Sequence, residues 1–158
     1  MNLHIRNLDT QDFQRILPLV DNWWDGRKMS HLLPRFLFEH FQNTSFVIEK
    51  QGEIIGFLIG FLSQSNVHSA YIHFIGIDPN YRRAGLASEL YTHFFQTVEK
   101  YRVKTVHCIT SPINKKSIEY HMKTGFSILL GDQNINGLDV HSNYDGEGND
   151  RVVFVKHL

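Results

Sequence analysis

The sequence predicts an α/β fold, a mixed sheet of about seven strands flanked by about four helices. Three observations predict it. Apolar runs of strand length recur at 3–7, 46–49, 53–62, 71–77, 105–110, 127–130 and 152–157. The early runs lie close together as hairpins, whereas the later ones alternate with segments of helical spacing, the pattern of strand–helix–strand units. At 158 residues the chain has the length of one domain, spanning residues 1–158, with enough apolar surface to bury a core.

Taken in order, Leu3 to Asn7 alternates as a first strand. Asp9 or Thr10 is placed to cap a helix whose inner stripe is Phe13, Ile16, Leu17 and Val20. A turn-rich segment with the tryptophan pair Trp23-Trp24 follows, then a helix from about Ser30 to Phe41, beginning near Pro34 or one turn before it. Gln51-Gly52 makes a tight hairpin between the next two strands. After the central strand comes an amphipathic helix carrying Leu86, Leu90, Tyr91, Phe94, Phe95 and Val98 and ending near Tyr101. Beyond the strand at Thr105, Ser111 is placed to cap a further helix with Pro112 at its first position, and Gly125 closes that helix. Residues 131–150, rich in Gly, Asn and Asp, read as one long loop.

The chemically informative stretch runs from Tyr71 to Ala87. A strand is broken by Asp78-Pro79-Asn80, because proline fixes φ and lacks a ladder donor. Arg82-Arg83-Ala84-Gly85-Leu86-Ala87 then leads into the amphipathic helix. A helix start leaves its first N–H groups unpaired and carries partial positive charge, which favours an anion. Small residues at Ala84, Gly85 and Ala87 allow close backbone approach, and two arginines add charge. The arrangement reads as a cradle for a pyrophosphate. The alternative is a surface turn whose small residues serve helix–sheet packing. Neither Gly-x-x-x-x-Gly-Lys-Ser/Thr nor Gly-x-Gly-x-x-Gly occurs.

Arg82-x-x-Gly85-x-Ala87, after a strand ending Ile75-Gly76-Ile77-Asp78-Pro79, resembles the acetyl-CoA signature of the GCN5-related N-acetyltransferases, the GNAT superfamily. Asn114-Lys-Lys-Ser117 leading through Tyr120 and His121 to Gly125-Phe126 resembles that family's second motif. The resemblance covers roughly residues 70 to 130 in detail. It implies a mostly antiparallel sheet splayed beside the central strand. It also implies acetyl-CoA as cosubstrate, held by the main chain of Ile75, Gly76 and Ile77, by Arg82, Arg83, Ala84, Gly85, Leu86 and Ala87, and by Asn114. The implied activity is transfer of the acetyl group to a primary amine of a small molecule or protein by direct attack. A catalytically idle CoA-binding or regulatory module is the alternative, and a nucleotide in the cradle is a third reading.

Such a transfer needs a base for the amine and a proton for the departing thiolate. Family members usually place a tyrosine four residues before the Gly of Gly-Phe, and here that position is His121, with Tyr120 one place earlier. One residue turns a helix by about 100°, so the two side chains cannot address one sulfur equally. His121, Tyr120 or no protein group remain open as the acid. His73 on the central strand is the candidate base, with an ordinary strand histidine as the alternative. Trp23, Trp24 and Arg27 fall where relatives build the acceptor-side wall, and Tyr71 shares the face of His73. The alternative reading makes the tryptophans helix-packing anchors. Acidic residues in the late loop, Asp132 to Asp150, would suit a cationic amine or be a solvated surface.

Composition sets bounds. With 16 basic and 16 acidic residues the chain is not built as a general nucleic-acid binder. No His-Glu-x-x-His or cysteine cluster suggests a metal. The one cysteine, Cys108, excludes an internal disulfide and sits in an apolar run as a packed thiol. No secretory or membrane-spanning segment is evident, so the expectation is a soluble cytoplasmic protein with no membrane partner. The sequence leaves the oligomeric state open, a homodimer included.

Overall fold

The computed structural model describes residues 2–158. Its elements run β1 (Leu3–Asn7), α1 (Asp12–Trp23), α2 (Arg35–His40), β2 (Phe46–Lys50), β3 (Glu53–Leu62), β4 (Ser69–Ile77), α3 (Leu86–Glu99), β5 (Thr105–Thr110), α4 (Lys115–Lys123), β6 (Ser127–Ile128), β7 (Gln133–Ile135), β8 (Leu138–Val140) and β9 (Val152–His157). Seven strands form one sheet in the order β1-β2-β3-β4-β5-β9-β6, and β7 pairs with β8 separately. The β1/β2, β2/β3, β5/β9 and β6/β9 ladders are antiparallel, and β4/β5 is parallel. A mostly antiparallel seven-stranded sheet with four α-helices is the fold expected from the sequence.

By their contacts the residues form two compact units, the described residues up to Leu62 with Ile72–Tyr101, and Ser63–Tyr71 with Arg102–Leu158. In the first, Ile16, Val20 and Trp23 of α1 and Leu37 and Phe38 of α2 join Val47, Phe57, Ile59 and Phe74 from the strands in one apolar cluster. Leu86, Leu90, Tyr91, Phe94 and Val98 are the buried stripe of α3, as its periodicity predicts. In the second, Val106 and Cys108 of β5, Val152 to Val155 of β9, Phe126 and His121 are buried.

The start of α1 is secured by reciprocal bonds. Asp9 Oδ1 accepts the Gln11 N–H (2.8 Å), and Asp12 Oδ2 accepts the Asp9 N–H (2.8 Å). Asp12 is only 1% exposed, and Arg6 grips both its oxygens at 2.8 Å while also bonding Glu49. A carboxylate this deep needs that bidentate partner, and nothing in the local sequence marks the pair.

Two expectations need correction, and one alternative is decided. Of the two starts open for the helix over 30–41, the one near Pro34 holds: a 3-10 turn spans Ser30–Leu32 and α2 begins after Pro34. Proline pushes the residue before it out of helical geometry. The helix expected from Pro112 begins at Lys115, because the Asn114 side chain accepts the Ser117 N–H (3.2 Å) and caps there. Residues 131–150 are not all loop, since β7 and β8 form a hairpin closed by Asn136-Gly137 with φ of 53° and 85°. Asn-Gly is a strong two-residue hairpin signal.

Candidate active site

The turn after β4 is set by local chemistry. Asp78 accepts the Asn80 N–H (2.9 Å), closing a 3-10 turn at Pro79–Tyr81. Two residues then take left-handed backbone, Arg83 at φ 67° and Gly85 at φ 81°. Glycine adopts this freely, whereas at Arg83 it costs about 1 kcal/mol or more, a strain that clusters at ligand-holding turns. Gly85 is the N-cap of α3, and the first intrahelical bond runs from the Glu89 N–H to the Gly85 carbonyl (3.1 Å). The preceding first-turn N–H groups therefore have no intrahelical acceptor. A Cβ built on Gly85 would meet nothing within 4 Å. Arg82, Arg83, Ala84 and Gly85 are all exposed, Ala87 is half-buried, and Leu86 anchors the helix in the core. The arrangement is an open, cationic turn with unpaired main-chain donors at a helix start, the chemistry that suits an anion.

The two arginines differ. Arg82 donates from Nη2 to the Trp23 carbonyl (2.6 Å), whereas Arg83 has no hydrogen bond or ion pair among the described residues.

Along β4, Ile75 and Ile77 are half-buried and Gly76 is buried. Gly76 is glycine for packing reasons as well. A Cβ there would lie 2.7 Å from the Phe57 ring and 3.0 Å from Trp24. Gly76→Ala is expected to destabilise the fold by about 1–3 kcal/mol, measured as a lowered urea midpoint. Trp23 is 5% exposed and packs 6.0 Å from Phe57, while Trp24 packs 5.1 Å from Phe74. Both tryptophans pack on phenylalanines of the sheet, Trp24 staying partly exposed, and Arg27 is exposed nearby in sequence.

His73 Nε2 lies 2.6 Å from the Leu32 carbonyl. A carbonyl only accepts, so Nε2 carries the proton and the neutral ring has its basic lone pair on Nδ1. The contact thus fixes the tautomer of the ring.

On α4, His121 is turned inward. It is 7% exposed, stacked on Phe154 at 4.6 Å and edge-on to Phe126 at 5.1 Å. Its Nδ1 lies 2.7 Å from the Ser117 carbonyl and therefore carries the proton. Burial lowers its pKa, partly offset by that bond. A neutral ring whose single proton is given to Ser117 offers a lone pair at Nε2 rather than a proton. This arrangement does not favour the expected donor role of His121. Tyr120 is half-buried, with its ring 5.9 Å from His121 and perpendicular to it. Asn114, expected at the cofactor, spends its side-chain oxygen on the helix cap.

The end of α4 explains why His121 faces in. The Phe126 N–H bonds the His121 carbonyl (3.0 Å) and Gly125 takes φ 95°, so the chain reverses and stacks Phe126 on that turn. The buried ring has a pH consequence. The unfolded chain binds a proton near the ordinary 6.5, the folded one only at lower pH. Stability is therefore full above that value and falls as pH drops below it. His107, also lowered by burial and then by His157, acts in the same sense. Urea midpoints measured from about pH 7.5 to about 5.5 are expected to decline, and less steeply in His121→Phe.

The sequence profile described as the acetyltransferase (GNAT) family matches residues 4–126. The chain belongs to this family. It is 25% identical over 98 residues to an L-2,4-diaminobutyric acid acetyltransferase of Virgibacillus pantothenticus, a match covering 62% of this chain and 60% of that protein. The chain thus spans about 60% of the length of that curated relative. Among solved structures, Ard1 from Thermoplasma volcanium superposes with a TM-score of 0.78 at 18% identity, over 100% of this chain and 99% of that one. Diaminobutyrate acetyltransferase from Paenibacillus lautus, in complex with L-2,4-diaminobutyric acid and coenzyme A, gives 0.70 at 18% identity, over 98% and 93%. The structural likenesses carry the GNAT fold.

Against that family background, Tyr71 lies in a different setting from His73. Its pKa is driven up, first by burial and then by Tyr144, Cys108 and Asp145, so its hydroxyl keeps its proton and is no base. Burial pushes the Cys108 thiol up to about 12, which leaves a core thiol and no nucleophile. Among the described residues, no group of three or more His, Cys, Asp or Glu could hold a metal ion, and no helix is long and apolar enough to cross a membrane. Sequence reasoning missed Leu32 and Asp21. Asp21 Oδ1 accepts the Met29 (2.7 Å) and Ser30 (3.0 Å) N–H groups, which holds its carboxyl below the usual range and fixes the segment after α1. Asp21 in the last turn of α1, ahead of the turn at Asp25-Gly26, was the available signal.

Proposed function

We propose that this protein is an acetyl-CoA-dependent N-acetyltransferase acting on a primary amine of a small molecule or protein. The observation that carries the reading is the turn before α3. Two left-handed residues, small side chains and open space at Gly85 leave the N–H groups of the α3 start turned to an anion, with a free guanidinium at Arg83. A pyrophosphate fits this donor set, and coenzyme A is bound by the Paenibacillus relative. The cosubstrate brings an activated acetyl thioester.

The residues of this chain have separate tasks in the reading. Arg83 and the main chain of 84–87 bind the pyrophosphate, and the main chain of Ile75 to Ile77 accompanies the pantetheine arm. Nδ1 of His73, oriented by the Leu32 carbonyl, takes one proton from the acceptor's ammonium, directly or through water, which frees the lone pair of the amine for attack. The amine nitrogen forms its bond to the thioester carbonyl carbon, the C–S bond breaks, and the phenol of Tyr120 gives its proton to the departing sulfur. The second proton lost by the nitrogen restores the phenol through water, leaving the amide and the free thiol. Trp24 and Arg27 border the acceptor. Direct attack suits a chain whose only cysteine is buried and protonated. The diaminobutyrate acetyltransferases among its relatives make diamines and amino acids with a side-chain amine the first acceptors to try.

Calorimetric titration with CoA, beside thiol release from acetyl-CoA with a panel of amines, tests the reading. Micromolar binding with amine-dependent thiol release is the expected result. Binding without turnover across the panel would leave an idle CoA module, and competition by ATP but not CoA would reassign the cradle to a nucleotide.

A further inference from the structure

We infer that the two neighbouring arginines have divided roles, and that Arg82 is a positioning residue. It fastens the end of α1 and the Trp23-Trp24 segment to the turn before α3, while Arg83 alone serves the anion. The inference rests on the cradle reading above and adds a task for a side chain that the reading would otherwise place on phosphate.

A helix leaves its last carbonyls without intrahelical donors and carries partial negative charge there. α1 has no basic residue in its last turn, and Trp23 is its final residue. Arg82, 59 positions later, supplies the missing cation by donating from Nη2 to the Trp23 carbonyl at 2.6 Å. A cation at a helix C-terminus is stabilised by both the bond and the dipole. A guanidinium so engaged is turned toward α1, and Arg83 is left as the uncommitted cation of the turn.

What Arg82 holds is a segment gripped at other points too. Asp21 accepts two backbone N–H groups from Met29 and Ser30. His73 donates to the Leu32 carbonyl. Trp24 presses on Phe74 and on the bare backbone of Gly76. Residues 21–32 are thus tied by side chains from their own start, from β4 and from the cradle turn. Through this set Arg82 joins the anion-binding turn to the segment proposed to border the acceptor, so the placement of one fixes the placement of the other.

The test uses the chain's own two tryptophans, both in this segment. Wild type, Arg82→Gln, Arg82→Lys and Arg83→Gln are compared by acrylamide quenching of tryptophan emission and by calorimetric titration with CoA. Arg82→Gln is expected to raise the quenching constant about twofold, as the helix end loosens, with CoA affinity within about threefold of wild type. Arg83→Gln is expected to leave quenching unchanged and to weaken CoA about tenfold or more, as loss of a charged hydrogen bond does. Arg82→Lys, which keeps a donor for the carbonyl, should recover part of the quenching protection. With an accepted amine, Arg82→Gln should raise the acceptor KM about tenfold and leave the acetyl-CoA KM nearly unchanged. A tenfold CoA loss in Arg82→Gln, with or without a change in quenching, overturns the division of roles, as does unchanged quenching. If wild type does not bind CoA, the cradle reading fails, and the quenching comparison alone decides whether Arg82 holds the tryptophan segment.

Discussion

Replacing Gly85 with glutamate is expected to abolish measurable CoA binding in a protein that still folds. Gly85 sits at φ 81° with nothing within 4 Å of where its Cβ would be, so a side chain has room and only backbone strain opposes it. That strain is about 1–2 kcal/mol, tolerable for a domain of ordinary stability. The new carboxylate would stand in the open space beside the first N–H groups of α3. Juxtaposed like charges cost several kcal/mol, so the affinity loss should exceed about 100-fold. Gly85→Ala separates the two causes, because it carries the same strain without the charge. Calorimetry and far-UV circular dichroism on both variants make the measurement. Normal CoA affinity in a folded Gly85→Glu protein would show that the anion binds elsewhere.

Tyr120→Phe should lower kcat by about 10²–10⁴ if its phenol protonates the departing thiolate. The KM for acetyl-CoA should change little, since the lost interaction belongs to the transition state. His121→Phe is the informative partner. It keeps an aromatic ring between Phe154 and Phe126 and removes the Nδ1 contacts with Ser117, so turnover should stay within a few-fold of wild type while stability shifts modestly. Steady-state thiol release with an accepted amine measures both. A large loss in His121→Phe with near-normal Tyr120→Phe would return the donor role to the histidine.

Much of the frame was legible because its signals are short-range. The strand, the Asp78-Pro79-Asn80 break, the small-residue turn and the stripe of α3 are each encoded within a few residues, and Gly85 and Gly125 both take the positive φ that their positions suggested. The errors arose where two local signals competed. Ser111-Pro112 has the form of a helix start, yet Asn114 captures the Ser117 N–H and begins α4 three residues after Pro112. Asn136-Gly137 was a hairpin signal inside a segment whose polar composition read as loop. The roles within the site were the least legible. Counting back from Gly125 gives the position of His121 but not its face, which depends on Phe154, 33 residues further on. The tautomer of His73 is fixed by a carbonyl 41 residues away, and the partner of Arg82 lies 59 residues away. No local pattern encodes such pairings.

The lone buried thiol, Cys108, has a practical consequence. Only the thiolate reacts with alkylating agents, so this side chain should stay unmodified until the strand that carries it opens. Its labelling rate is therefore a clock for the opening of the second compact unit, to which Cys108 belongs. Both tryptophans belong to the first unit, and their emission reports its unfolding. Each unit thus carries an intrinsic reporter of its own. Urea titrations followed by the two signals would reveal, without any engineered label, whether the units melt together or one after the other.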